Sequence, residues 1–133
     1  MDKKVGTIVP AVNQIQLHVG MGYDPEGLFS YCQERGIITQ AYSPLAAGEV
    51  VNDPLCQSVG KRYNKTGAEV GVRWVLQQPF SPALVVKSDK VQNLQADLNA
   101  FTWSLKDEDV TTLSRATTPK GQQNGRPSWG CSK

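Results

Sequence analysis

Three short apolar runs punctuate the chain, each followed by residues with helical spacing. The first, Ala11 to His18, carries Val12, Ile15 and Leu17. The second is Gly36-Ile37-Ile38-Thr39-Gln40-Ala41-Tyr42-Ser43 and the third is Ala83-Leu84-Val85-Val86-Lys87-Ser88. All three are too short for helices and are bounded by Pro, Gly or Ser, which predicts strands. Between them, Asp24-Pro25-Glu26 reads as an N-cap, a proline at the first helical position and an acidic first turn. Leu28, Phe29 and Cys32 then share one face, and Gly36 stops the helix. Asp53-Pro54 repeats the start signal, with Leu55, Val59 and Tyr63 at i, i+4 and i+8. Thr66-Gly67-Ala68-Glu69 has the form of a capping box, opening a helix through Val70, Trp74 and Val75. Val91, Leu94 and Leu98 suit a further helix, Asp107 through Leu113 a last one, and the chain from Thr117 to Lys133 reads as an irregular tail.

The predicted order is β-α-β-α-α-β-α-α. Strands separated by helices pair in parallel through right-handed crossovers. A parallel sheet needs cover on both faces or closure into a barrel. Three strands do not close an eight-stranded barrel, and 133 residues is about half of a typical (β/α)8 domain of ~250 residues. The pattern therefore implies either a small open α/β layer or part of something larger.

Composition narrows the classes further. Fourteen Lys+Arg against twelve Asp+Glu leave a formal charge of +2, too little to imply nucleic acid or an anionic membrane as partner. No apolar stretch approaches the roughly 18 residues of a membrane span, and the start, Met1 to Gly6, lacks the apolar run of a signal peptide. Cys32, Cys56 and Cys131 are odd in number and have no metal-ligand spacing. That usage suits a reducing cytoplasm, and with His18 as the single histidine no metal site is expected.

In β/α architectures, function gathers at the carboxyl ends of the strands. Here those ends supply Gln14 through His18, Tyr42-Ser43 and Lys87-Ser88. A side-chain amide can both donate to and accept from a carboxamide, and an aromatic face can stack on a flat ring. Lys87-Ser88 runs into a helix whose first amide N–H groups form an anion site. Taken singly, each feature has an ordinary reading. A strand glutamine is commonly a locally bonded polar residue, Tyr42-Ser43-Pro44 a turn, Lys87 a surface lysine and His18 a capping or packing residue. The Gly67-x-x-x-Gly71 spacing marks close helix packing rather than a phosphate loop, because no strand directly precedes it. The residues by themselves point to an α/β domain with a nucleotide site.

Their combination is more specific. Pro10-Ala11-Val12-Asn13-Gln14-Ile15-Gln16-Leu17-His18 is similar to the sixth-strand signature of the aldo-keto reductases. Gly36 through Leu45 resembles their seventh strand, and Lys65 through Val70 with Arg73-Trp74-Val75-Leu76-Gln77 resembles the following helix. Val86-Lys87-Ser88, then Phe101 through Asp109, resembles the eighth strand and closing helix. The blocks keep the family's order over residues 10–116, after a lead-in at 1–9. The resemblance implies an α/β fold, the C-terminal part of a (β/α)8 barrel with about three parallel strands and their helices. It also implies NAD(P)H-dependent reduction of an aldehyde or ketone. Carried over by position, Gln14 would hold the nicotinamide carboxamide and Tyr42 would stack on the nicotinamide ring. Ser43 and Leu45 would lie along the pyrophosphate, and Lys87 and Ser88 would meet the phosphate on the adenosine ribose.

The departures set further expectations. The resemblance implies NADPH as cofactor, and Asn93, standing where the family usually places an arginine for the 2′-phosphate, brings NADH into contention. The Glu and Asn usual near the adenine are Ala96 and Asp97, and Val19-Gly20-Met21-Gly22-Tyr23 replaces the usual proline-aromatic sequence on the substrate side. The family's Asp, Tyr, Lys and His tetrad comes from strands upstream of the sixth, so no catalytic residue is assigned in this chain. The expectation is a cofactor-binding portion of a reductase, inactive alone. The alternative is a non-catalytic half barrel that binds nucleotide or protein and self-associates through exposed edges.

Overall fold

The computed structural model describes residues 8–124, so the third cysteine, Cys131, lies outside the described residues. Strands β1 (Val12–Gln16), β2 (Ile38–Tyr42) and β3 (Ala83–Leu84) form one parallel sheet in the order β1-β2-β3. Val12 pairs with Ile38 and Gln16 with Tyr42, while Gln40 pairs with Ala83. Partners in parallel register point to the same side. One side carries Asn13, Ile15, Thr39 and Ala41, the last two buried under helices. The opposite side carries Val12, Gln14, Gln16, Ile38, Gln40 and Tyr42 and is largely open, with Val12 and Ile38 both exposed. This is a three-stranded parallel sheet with helical cover on one face, the α/β arrangement expected of part of a barrel.

The helices are α1 (Leu28–Glu34), α2 (Glu49–Asn52), α3 (Pro54–Tyr63), α4 (Gly67–Leu76), α5 (Val91–Asn99), α6 (Asp107–Arg115) and α7 (Pro119–Asn124). The two best-marked starts form as read. The Asp53 carboxylate accepts from Cys56 N–H at 2.8 Å, with Pro54 opening α3. At α4 the Thr66 hydroxyl accepts from Glu69 N–H at 3.2 Å and the Glu69 carboxylate accepts from Thr66 N–H at 2.9 Å, a complete capping box.

Four readings differ. Asp24-Pro25-Glu26 opens a 3₁₀ turn, and α1 starts later, at Leu28. Asp24 still caps it, because its carboxylate reaches past the turn to accept from Phe29 N–H at 2.8 Å and Ser30 N–H at 3.2 Å. Of the three residues read as one face, Phe29 and Cys32 are buried, while Leu28, now the first residue of α1, is exposed. Helix α5 forms where expected, but Val91, Leu94 and Leu98 face solvent. The segment read as an irregular tail includes α7.

The core lies between the covered sheet face and α3, α4 and α6, around Leu17, Phe29, Val59, Val70, Trp74 and Leu113. Polar links of long sequence separation tie these helices together. The Trp74 indole donates to Ser114 Oγ at 3.0 Å, and the Tyr63 hydroxyl donates to the buried Asp109 carboxylate at 2.5 Å. Gln77 joins the same layer through its side-chain oxygen, which accepts from Leu105 N–H at 2.7 Å. Beyond α6 the chain returns to the loop after β1, where Thr118 N–H donates to Gly20 C=O at 2.8 Å and Gly22 N–H to Ala116 C=O at 3.1 Å. Among the described residues, no helix is long and apolar enough to cross a membrane.

Candidate functional site

The carboxyl ends of β2 and β3 open onto a cleft of about 750 Å³. Its walls come from three stretches: the loop after β2 on into α2, the first turn of α4, and the segment from β3 into α5. Tyr42, Ser43 and Leu45 line it from the first, Thr66, Ala68 and Glu69 from the second, and Lys87, Ser88, Asn93 and Asp97 from the third. Five of the six residues assigned by position therefore meet around one space. The sixth, Gln14, lies outside its lining. Gln14 sits on the same open sheet face as Tyr42 and donates its side-chain amide to Gln40 Oε1 at 2.7 Å.

The loop after β2 owes its shape to backbone rather than side-chain chemistry. Ser43, Ala46 and Ala47 have φ of 52°, 49° and 54°, and Gly48 has φ of 98°. The left-handed region costs an L-residue roughly 1–2 kcal/mol, so three non-glycine residues held there are kept by their surroundings. Ala46 N–H donates to Ser43 C=O at 3.0 Å and Gly48 N–H to Leu45 C=O at 2.9 Å, folding the loop back on itself before α2. No residue type along Ser43–Gly48 except Gly48 signals this conformation, so the sequence alone did not reveal it.

At the far wall, Ser88 is fixed at the start of α5. Its Oγ accepts from Lys90 N–H at 3.2 Å and from the Asn93 side-chain amide at 3.1 Å. Tyr42 presents a partly exposed ring to the cleft. Burial raises the Asp97 carboxyl above its ordinary value. Burial also acts to raise Glu69, but hydrogen bonds from Thr66 N–H, Lys65 and the Thr66 hydroxyl, with the Lys65 charge, outweigh it and leave that carboxyl lowered. The donor set is one ammonium, two serine hydroxyls, an amide and an aromatic face, with two carboxylates to accept. That chemistry and a cleft of this size fit a phosphorylated nucleotide with a flat ring and ribose hydroxyls.

Two other features recede. His18 is buried, its Nδ1 lies 2.8 Å from Val19 C=O, and desolvation lowers its pKa from the ordinary 6.5. Cys56 is buried beside Asp53, and its thiol is pushed up to about 12, so it stays protonated and a poor nucleophile at neutral pH. Among the described residues no group of three or more His, Cys, Asp or Glu is placed to hold a metal.

Residues 1–117 match the Aldo/keto reductase family. An uncharacterized oxidoreductase of Schizosaccharomyces pombe is 36% identical over 105 residues, which cover 79% of this chain and 36% of that protein. An aldo-keto reductase of Mycolicibacterium paratuberculosis is 34% identical over 107 residues, 80% of this chain and 37% of that one. A solved structure of a Gox0644 mutant in complex with NADPH shares the fold with a TM-score of 0.76 at 27% identity, covering 86% of this chain and 41% of that chain. The chain thus spans 36–37% of the length of these two sequence relatives.

Proposed function

Since the chain belongs to the aldo/keto reductase family, we propose that its cleft binds a nicotinamide dinucleotide, NAD(P)H, and that the chain forms the cofactor-gripping part of a carbonyl reductase. The observation that carries this reading is the convergence of Tyr42, Ser43, Leu45, Lys87 and Ser88 on one cleft at the carboxyl ends of neighbouring parallel strands. The bound dinucleotide would supply a hydride to an aldehyde or ketone carbon. What this chain's own residues contribute is placement. Tyr42 offers its ring as a stacking platform, and Gln14, two positions before the end of β1 on the same sheet face, offers an amide for a carboxamide. The folded-back loop at Ser43–Gly48 brings Ser43 and Leu45 to the wall, and Lys87 with the Ser88 hydroxyl addresses phosphate oxygens. The assignment gives none of these side chains a proton-transfer role.

Titration of the 133-residue chain with NADPH and NADH, followed by nicotinamide fluorescence, tests the reading. Saturable binding is expected, and Tyr42→Ala should weaken it by about tenfold, the equivalent of about 1.4 kcal/mol. Unchanged affinity in that variant would remove Tyr42 from the site.

A second reading, a half barrel that docks on a protein or on a second copy, has the exposed apolar residues Val12, Ile38, Val91, Leu98 and Phe101 in its favour. Sedimentation velocity separates it: a concentration-independent monomer would count against self-association.

A further inference from the structure

NADH and NADPH differ by one phosphate on the adenosine ribose, and the charges of the cleft bear on that difference. Among the described lining residues Lys87 is the one cation, in a cleft it shares with the carboxylates Glu69 and Asp97. Lys65 stands behind Glu69 at 3.1 Å and is engaged with it as an ion pair. Counting that pair as neutral leaves Lys87 against Asp97, so the wall carries no surplus positive charge. A dinucleotide already brings two negative phosphates, and a further phosphate monoester adds about −1.5 to −2 at neutral pH.

Hydrogen-bonding capacity points the same way. The Ser88 oxygen already accepts from Lys90 N–H and from Asn93, leaving its hydroxyl hydrogen to donate. The Asn93 amide is partly used on Ser88 and carries no charge. Ionised Asp97 lines the same cleft as Ser88 and Asn93 and accepts only, so its charge opposes a further phosphate there. Burial raises its carboxyl above the ordinary value. In dinucleotide sites generally, an arginine fork favours the phosphorylated cofactor and a carboxylate the unphosphorylated one, and the described lining holds carboxylates and no arginine.

We infer that this cleft selects NADH over NADPH, with Asp97 and Asn93 as the residues that set the preference. The inference rests on the dinucleotide reading above. The test is the dissociation constants of NADH and NADPH, measured separately on the full 133-residue chain at low and moderate salt, with the same pair of titrations on Asn93→Arg and Asp97→Asn. The expected result is NADH tighter by about tenfold, about 1.4 kcal/mol. Asn93→Arg should tighten NADPH by about tenfold and leave NADH within about threefold, a gain that shrinks as salt screens it. Asp97→Asn, nearly isosteric, should narrow the preference from the same side. NADPH binding equal to or tighter than NADH in the parent chain overturns the selectivity and leaves the dinucleotide site standing. Binding of neither cofactor removes the site itself, and the selectivity with it.

Discussion

Replacing Gly67 with alanine probes the packing beneath the cleft. Gly67 opens α4, is buried, and has no left-handed φ, so space alone explains its lack of a side chain. A Cβ there would stand 2.7 Å from Val51 C=O and 3.1 Å from Val50 C=O, both backbone atoms of α2. A carbon rests against a carbonyl oxygen at roughly 3.3–3.6 Å, so α4 and α2 must separate by about 0.6 Å or more. Neither carbonyl can rotate aside as a side chain would. Overpacking of this kind costs typically about 1–3 kcal/mol, while alanine recovers up to about 1 kcal/mol of helix propensity. The net expectation is about 1–2 kcal/mol of lost stability, a fall in Tm of roughly 4–8 °C for a chain of this size. Because Val51, Thr66 and Ala68 all line the cleft, the same displacement should weaken dinucleotide binding. Thermal unfolding followed by far-UV circular dichroism, paired with the fluorescence titration, measures both effects. A Gly67→Ala chain that melts at or above the parent temperature would refute the packing account.

Gly71 is the matching control. Its Cβ would meet Val50 Cγ1 at 2.6 Å, a side chain rather than a carbonyl, so Gly71→Ala should cost less than Gly67→Ala in the same melt. Ala47→Gly relieves a left-handed residue with φ of 54° and should stabilise by a few tenths to about 1 kcal/mol, the relief of strain exceeding the added chain entropy; a lower urea midpoint would contradict it. His18 gives a pH signature. Its folded pKa lies below the unfolded 6.5, so its contribution is complete above pH 6.5 and is lost as pH falls from there toward the folded value. Unfolding free energy measured between pH 7.5 and 5.5 (roughly the range where histidine alone among side chains ordinarily titrates) should decline in the parent and flatten in His18→Gln.

Much of the framework was legible because local chemistry dictates it. Asp53-Pro54 and Thr66-x-x-Glu69 carry their caps within four residues, and the three apolar runs are strands whose parallel order follows from the helices between them. Strand-end residues could be placed together for the same reason: a parallel sheet puts its carboxyl ends on one edge. What escaped was either conformational or distant. The left-handed residues at Ser43, Ala46 and Ala47 belong to side-chain types that carry no such signal, and α2 hangs on that loop. The reach of Asp24 to Phe29 and Ser30 depends on a 3₁₀ turn that periodicity does not reveal. Tyr63 was read as one more apolar position on α3, yet its hydroxyl finds Asp109, 46 residues away. Helix α5 has an apolar spacing but no covering layer among the described residues, so pattern predicted the helix and not its exposure. Gln14 was assigned by the sequence resemblance, and nothing in its one-dimensional context reveals its bond to Gln40 on the next strand.

The cleft has one further property. Every residue on its wall falls between Tyr42 and Asp97 in the chain. A cleft wall written in a single stretch can be inherited, duplicated or transplanted as a block, with Gln14 on the neighbouring strand the one assigned contact left outside it. Before Tyr42, Gln14 is the one residue assigned a direct contact with the ligand, and other substitutions there reach the cleft through the sheet and the underlying core. Variation in ligand preference can therefore accumulate inside this stretch while the rest of the chain drifts under the weaker demand of keeping it folded.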